Sequence, residues 1–394
     1  MKQNEIVIVA GMRTPTGGLL GNLSSKSAPE LGAITHRAIL ESTNIDASEI
    51  DEVIMGCVLQ AGIGQAPARQ SAITAGIPNS VGATTINKMC GSGLKSVMLA
   101  HDLIAAGSAE VVLAGGMESM SQAPYLLNKA RAGYRLGHGE LKDHLFLDGL
   151  EDAYEKGKLM GAFAEATAKK FNITRESQDA FAARSMKCAL NAQKLGYFNQ
   201  EIAPVNISGR NGSYIIQIDE APDEAKLIKI ANLKPSFQAD GTITPANSSS
   251  IADGAASLLV MSAQKAAQHG LTPLARIVAH STFAHEPEWF TTAPISAINT
   301  VLKKAGWKKE DVDLYEINEA FAVVAMVAIA ELGLNIDKVN IHGGACALGH
   351  PIGASGARIL VTLMHALRQH QQKRGVASLC IGGGEAVAIA VEVL

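Results

Sequence analysis

Residues 341–358 read Ile-His-Gly-Gly-Ala-Cys-Ala-Leu-Gly-His-Pro-Ile-Gly-Ala-Ser-Gly-Ala-Arg. Glycines at 343, 344, 349, 353 and 356 surround His350, and an apolar run from Ile359 to Leu367 follows. Such a segment predicts a loop feeding a helix N-terminus, where outward N–H groups and the helix dipole favour negative charge. An earlier stretch echoes it: Cys90-Gly91-Ser92-Gly93 also precedes a helical pattern. Further pairs recur at offsets of about 260–270 residues, as expected for a repeated unit. Ala28 to Ile34 matches Ala293 to Ile298, and Asp46 to Gly56 matches Lys309 to Ile317. Ala114-Gly115-Gly116 matches Leu379 to Gly384. The echo predicts two α/β units of like topology related by a pseudo-twofold axis.

Each unit alternates short β-branched runs with helical patterns, which indicates α/β layers. In the first, strands are expected at 6–10, 52–58, 84–88 and 110–115, and helices at 29–42, 68–75 and 92–106. Ser27 is a candidate cap for the first helix. Residues from about 120 to 250 differ. They are rich in charge and in turn pairs such as Gly133-Tyr134, Gly137-His138 and Asn211-Gly212, with one helix over 175–194 capped by Thr174. This block is expected to be an insertion that covers something. The division is thus 1–119 for the first half, 120–249 for the insertion, 250–272 for the return to the first half, and 273–394 for the second half.

Composition sets bounds. The 394 residues are 47% hydrophobic and 18% charged with a net charge of −3, an ordinary globular balance with no basic field for nucleic acid. No uncharged apolar run of about 18 residues exists to span a membrane. Met1 to Ala10 enters a strand pattern without a basic region or cleavage site, so no export signal is expected. The five cysteines (57, 90, 188, 346, 380) include no Cys-x-x-Cys pair. Neither a disulfide framework nor a metal-ligand cluster is expected, and a reducing cytosol fits.

Sites in such folds gather at carboxyl ends of strands, where Cys90, Asn318, His350 and Cys380 are all expected. Cys90, between a strand and a helix, is placed for a lowered thiol pKa and for backbone N–H donors to an oxyanion. Read alone, a cysteine at a strand end is more often a small buried residue. Cys380 has the same setting before Gly382-Gly383-Gly384, and also reads as a buried strand cysteine. Asn318, in Glu316-Ile317-Asn318-Glu319-Ala320-Phe321, has a simple alternative as a cap for the apolar helix over 320–330. Cys57 and Cys188 are assigned to packing, and Cys346 has no role despite its closeness to His350.

Four segments taken together resemble the thiolase family over the whole chain. They are Asn87-Lys88-Met89-Cys90-Gly91-Ser92-Gly93-Leu94, Asn318-Glu319-Ala320-Phe321, Gly349 to Arg358, and Cys380-Ile381-Gly382-Gly383-Gly384. The resemblance implies a duplicated αβαβα layered fold with an inserted loop domain that binds coenzyme A. It implies acyl transfer and Claisen condensation, with two acetyl-CoA giving acetoacetyl-CoA and CoA, and the reverse. By similarity His350 takes the proton of Cys90, which accepts the acyl group, and Cys380 removes a methyl proton from the second acetyl-CoA. His350 and a water on Asn318 would hold the enolate oxygen. The N–H groups of Cys90 and Gly382 would hold the thioester oxyanion.

Ser249, Met160 and Phe321 resemble pantetheine and acyl-pocket contacts. Lys226, Lys229 and Lys234 lie where the nucleotide is usually met, and cations there suit its phosphates. No cofactor is implied beyond coenzyme A thioesters as substrates, and no metal, nucleic acid or membrane. A cytoplasmic homo-oligomer, a dimer of dimers, is expected.

Three departures bear on chain length: Leu159 before Met160-Gly161, Glu288 to Thr292 in a segment that often carries Met-Gly, and Glu385-Ala386 after Gly384. Residues 124–148 and 339–344 look like the short-chain enzymes, which favours acetoacetyl-CoA. The alternative is a degradative 3-ketoacyl-CoA thiolase acting on longer chains. A 3-oxoacyl synthase would pair its cysteine with two histidines. A dinucleotide oxidoreductase would need Gly-x-Gly-x-x-Gly in its first βαβ unit, where only Gly11-Met12-Arg13 occurs. A non-catalytic scaffold would leave Cys90 unacylated.

Overall fold

A computed structural model describes residues 5–209 and 212–394. Asn211, half of one expected turn, lies outside them, as does Met1 to Asn4. In chain order the main elements are β1 (Ile6–Arg13), α1 (Ala28–Thr43), β2 (Glu52–Gly56), α2 (Pro67–Thr74), β3 (Gly82–Ile86), α3 (Ser92–Ala105) and β4 (Val111–Ser119). Then come α4 (Met160–Lys170), α5 (Arg175–Lys194), β5 (Ala252–Ser262), β6 (Ala275–Ala284), α6 (Ala293–Ala305), β7 (Leu314–Ile317), α7 (Ala322–Leu332), α8 (Ser355–Gln369), β8 (Arg374–Ile381) and β9 (Glu385–Val393).

The strands run in the order β7-β8-β9-β6-β1-β5-β4-β2-β3. The internal echo is therefore a structural duplication. In the first half β1, β5 and β4 pair antiparallel, and β4-β2-β3 pair parallel. In the second half β6, β9 and β8 pair antiparallel and β7 joins β8 in parallel. The likeness reaches detail: β1 shifts register between Ile8 and Ala10, and β6 between Ile277 and Ala279. A parallel bridge from Tyr315 to Val339 stands where β3 stands in the first half.

Side-chain alternation builds the layers. Val111, Leu113 and Met117 of β4 pack outward with Leu31 and Ile39 of α1 and Ala68 and Ala72 of α2. Val112 and Ala114 face the other way, into a central layer made by Leu94, Val97 and Met98 of α3 with Ile359, Leu360, Leu363 and Met364 of α8. Leu379 and Ile381 of β8 and Val387 and Ile389 of β9 close that layer from the second half. Ile298 and Val301 of α6, with Ala325 and Ala328 of α7, cover the far face. The result is the αβαβα sandwich expected. Helix α8 is buried at every position from Ser355 to Leu367, polar residues included: Thr362 Oγ1 donates to Glu201 at 3.1 Å and His365 Nε2 meets the Gly11 carbonyl at 3.3 Å.

The caps of α1 and α5 form as read. Ser27 and Glu30 make a reciprocal capping box, and Thr174 accepts the Ser177 N–H. The Asn318 cap does not form. Helix α7 begins four residues later, at Ala322, and Phe321 precedes it without a side-chain cap. Residues 120–251 contribute no strand to the large sheet among the described residues; they hold α4, α5 and two small hairpins, Tyr125–Leu127 with Leu141–Asp143 and Val205–Gly209 with Gly212–Ile216.

His36, inside α1, is fully buried between the hydroxyls of Ser71 and Ser257, each 3.2 Å away. Burial, then the Arg37 charge, pushes its imidazole from 6.5 down to about 3. Between those values the unfolded chain binds a proton there and the folded chain does not, so stability falls as pH falls. His36→Gln keeps hydrogen-bonding groups and removes that proton. Chemical denaturation between pH 6.5 and 4 should lose about 1.4 kcal/mol less per pH unit in the variant. An unchanged slope would mean that His36 is already protonated in the fold.

Candidate active site

The two halves meet through glycine. A Cβ at Gly93 of α3 would lie 2.8 Å from the Ala357 nitrogen, and one at Gly356 of α8 would lie 2.4 Å from the Leu94 nitrogen. Two equivalent helices therefore touch backbone to backbone at their N-terminal turns, and the loops that feed them lie side by side. The first loop carries Cys90. Asn87 Oδ1 accepts the Met89 N–H, Ser92 Oγ accepts the Lys88 N–H and donates to the Met89 carbonyl, and Met89 takes a φ of 46°. A left-handed methionine is strained, and these three bonds hold the turn against it. Lys88 pairs with Glu385, tying this loop to the far side of the site.

The second loop carries His350. It is not at a strand end as expected: a short helix, Ala345–Leu348, precedes it, and its own N–H bonds the Ser250 carbonyl at 2.9 Å. Ser355 Oγ lies 2.9 Å from the Pro351 carbonyl and 2.5 Å from His350 Nδ1. With its one proton given to that carbonyl, Ser355 accepts from Nδ1–H and leaves Nε2 as the acceptor. His350 Nε2 is buried and without a hydrogen bond among the described residues. Burial, then the charge of Arg358, pushes the imidazole down to about 3.

The same cavity, about 290 Å3, is lined by Cys90, His350, Gly382 and Gly383 together with Met160, Ser249, Ala320 and Phe321. Residues 147–154 and Phe290 complete the lining. Gly382 directs its N–H at the Cys90 sulfur, and so does the Cys90 N–H; both lower the thiol pKa. Burial is nevertheless the larger effect and pushes Cys90 up to about 11. This corrects the lowered pKa expected from the helix N-terminus: removal from water outweighs the local N–H groups.

Cys380 is fully buried near the end of β8, among Phe163, Phe290 and Phe321. Burial first, and the neighbouring Cys90 second, push its thiol well above the ordinary range. Asn318 follows β7 directly, and its N–H bonds the Ser378 carbonyl at 3.0 Å, two residues before Cys380. Neither side-chain atom of Asn318 finds a partner among the described residues, although the side chain is buried. His350 lines the cavity and Asn318 does not, but together they leave three buried polar atoms without a partner among the described residues, each costing about 1–3 kcal/mol if left unmatched.

Two participants escaped the sequence reading. Ser355 sits within the quoted motif, but nothing in its spacing from His350 shows that it sets the tautomer. Glu118 follows Gly115-Gly116, which are mid-strand rather than strand-ending. Its buried carboxylate accepts the N–H groups of Val58, Leu59 and Gly353 at 2.8–3.1 Å, and so pins the His350 loop to the first half. Of the departures noted above, Phe290 enters the cavity wall, Glu385 takes Lys88, and Leu159 lies outside the lining, in a separate hollow with Phe237. Lys226 and Lys229 line a different cavity of about 280 Å3, with Ser250 and Cys346. Folding also makes one cluster that spacing did not reveal. His101, Asp102 and His280 converge, contrary to the expectation of no metal-ligand cluster.

Residues 6–264 match the thiolase N-terminal domain and residues 271–393 the thiolase C-terminal domain. The chain belongs to the thiolase family. Among its thiolase relatives, the acetyl-CoA acetyltransferase of Cupriavidus necator is 50% identical over 390 residues, covering 98% of this chain and 99% of the relative. Acetyl-CoA acetyltransferase 2 of Arabidopsis thaliana is 49% identical over 99% of this chain and 97% of its own. The crystal structure of the Bacillus anthracis acetyl-CoA acetyltransferase superposes with a TM-score of 0.97 at 41% identity, covering 100% of this thiolase and 99% of that chain.

Proposed function

We propose that this thiolase is an acetyl-CoA C-acetyltransferase that converts two acetyl-CoA into acetoacetyl-CoA and CoA, and the reverse, through an acetyl group on Cys90. The observation that carries the reading is that His350, its Nε2 without a partner among the described residues, lines the same cavity as Cys90. His350 Nε2 takes the thiol proton as sulfur attacks the thioester carbonyl, so no standing ion pair is required in a site where burial opposes both charges. The N–H groups of Gly382 and Cys90 receive the oxyanion of the tetrahedral intermediate.

Cys380 is protonated at rest, because burial and Cys90 both disfavour its thiolate. It becomes a base only after losing that proton, and the departing CoA sulfur is the acceptor that the first half-reaction supplies. The Cys380 thiolate then takes a proton from the methyl of the second acetyl-CoA. The carbanion attacks the acetyl carbonyl, the C–S bond to Cys90 breaks, and the proton held by His350 returns to Cys90. Protons balance over the cycle. Asn318 and His350 hold the enolate oxygen, with water bridging at Asn318.

Residues 120–249 form the coenzyme A-binding insertion. Ser249 and Met160 flank the pantetheine, and Phe321 lines the acyl end. Lys226 and Lys229 face the nucleotide phosphates across the neighbouring cavity that ends at Ser250. A dimer of dimers in the cytoplasm is the assembly and location this reading favours; no helix among the described residues is long and apolar enough to cross a membrane.

Two bulky rings, Phe290 and Phe321, are part of the cavity lining, and the space they take favours a four-carbon product over longer chains. Thiolysis assays with CoA should give kcat/KM for acetoacetyl-CoA at least about tenfold above that for a 3-oxo-octanoyl thioester; one or two misfit methylenes account for that factor. Equal values would replace this reading with that of a thiolase of broad chain length.

A further inference from the structure

Remote from the cavity, near the end of α3, His101 and Asp102 face His280 of β6. Nine residues of helix separate Ser92 from His101, which is about 14 Å along the axis. His280 Nε2 lies 2.8 Å from Asp102 Oδ1 and 3.3 Å from His101 Nδ1, and His101 Nδ1 lies 3.1 Å from the same Oδ1. The two rings meet edge to face, with centroids 4.9 Å apart at 84°. Beta-strand alternation puts His280 on the partly open face of β6, and the three side chains remain 16–51% exposed.

Asp102 Oδ1 can accept an N–H from each ring, which leaves the 3.3 Å contact between the two nitrogens without a hydrogen bond of its own. With both nitrogens unprotonated, all three atoms present lone pairs. A cation at the centre of the three atoms satisfies all three contacts at once.

The dimensions agree with that. Ligands at about 2.0–2.1 Å from a tetrahedral ion lie roughly 3.3–3.4 Å apart, so the observed separations close with shifts of a few tenths of an ångström.

We propose that His101 Nδ1, Asp102 Oδ1 and His280 Nε2 form a site for a divalent transition-metal ion of the zinc class, with its fourth position open to solvent. Two imidazoles and one carboxylate are a donor set for zinc, and the open face of Asp102 leaves room for water or a ligand from another molecule. The ion would tie the end of α3 to β6, which belong to different halves of the duplication.

Chelator-treated protein incubated with zinc chloride and passed through gel filtration should retain one zinc per chain by mass spectrometry. His101→Gln/His280→Gln should retain several-fold less. Cobalt(II) on the unmodified protein should give visible d–d bands without thiolate charge-transfer bands in the near ultraviolet. Failure of the unmodified protein to hold zinc overturns the proposal, as does undiminished zinc in the double variant. Dominant thiolate bands overturn it too, because they place the ion on cysteine. Should the double variant not fold, the cobalt spectrum and the single variant His280→Gln decide the matter by the same criteria. None of these readouts depends on acetyl transfer.

Discussion

Cys90→Ala should take up no acetyl group from radiolabelled acetyl-CoA, and its turnover in either direction should fall by about 10^4-fold or more. The size follows from chemistry. Without the sulfur, the second acetyl-CoA would have to condense with a free thioester in a site built to present an enzyme-bound one. His350 Nε2 would keep its tautomer through Ser355, and Gly382 its N–H, yet neither forms a covalent bond to the acyl carbon. The thermal midpoint should change little, because the change removes a single sulfur from the cavity wall. Acetyl label in acid-precipitated Cys90→Ala protein, at the level seen for the unmodified enzyme, would overturn the assignment of the nucleophile.

The second large effect separates the two half-reactions. Cys380→Ala should still become acetylated, while acetoacetyl-CoA formation falls by about 10^2–10^4-fold, the range for losing a positioned general base. The asymmetry rests on the two protons concerned. The CoA thiolate is a stable leaving group and departs with little help. The methyl protons of a thioester are very weakly acidic and need both a base and a stabilised enolate oxygen. Rapid-quench measurement of acetyl-enzyme, beside steady-state condensation, reads the two steps independently. Equal loss in both would remove Cys380 from its role as base and leave it as packing beneath Phe290 and Phe321.

Much of the architecture was legible because it is written in local pattern. The β-branched run at 110–115, the cap at Ser27 and the apolar run over 359–367 each follow from neighbours a few residues apart. The duplication was legible because it repeats those patterns at a constant offset. Asn318 shows the limit. An asparagine ahead of an apolar helix has the look of a cap, but tertiary pairing of residues 247–249 with 320–322 delays the helix to Ala322. Pairing across the chain decided that boundary, and no window around Asn318 contains it.

The thiol of Cys90 shows a second limit. Its sequence neighbours supply the N–H groups that favour a thiolate, whereas the burial that opposes them comes from residues far away in the chain. Glu118, Ser355 and the His101–Asp102–His280 triangle were equally hidden. Each acquires meaning only from partners that folding selects.

The contact of Gly93 with Ala357 and of Gly356 with Leu94 has one more consequence. The chemistry lives on a seam. Cys90 stands on one side of it, His350 and Cys380 on the other, and bare backbone at Gly93, Gly356, Gly116 and Gly353 lets the sides close. A methyl group at Gly93 or Gly356 would wedge the seam open while each flank kept its own sheet and outer helices, giving a well-folded protein whose reactive atoms no longer meet.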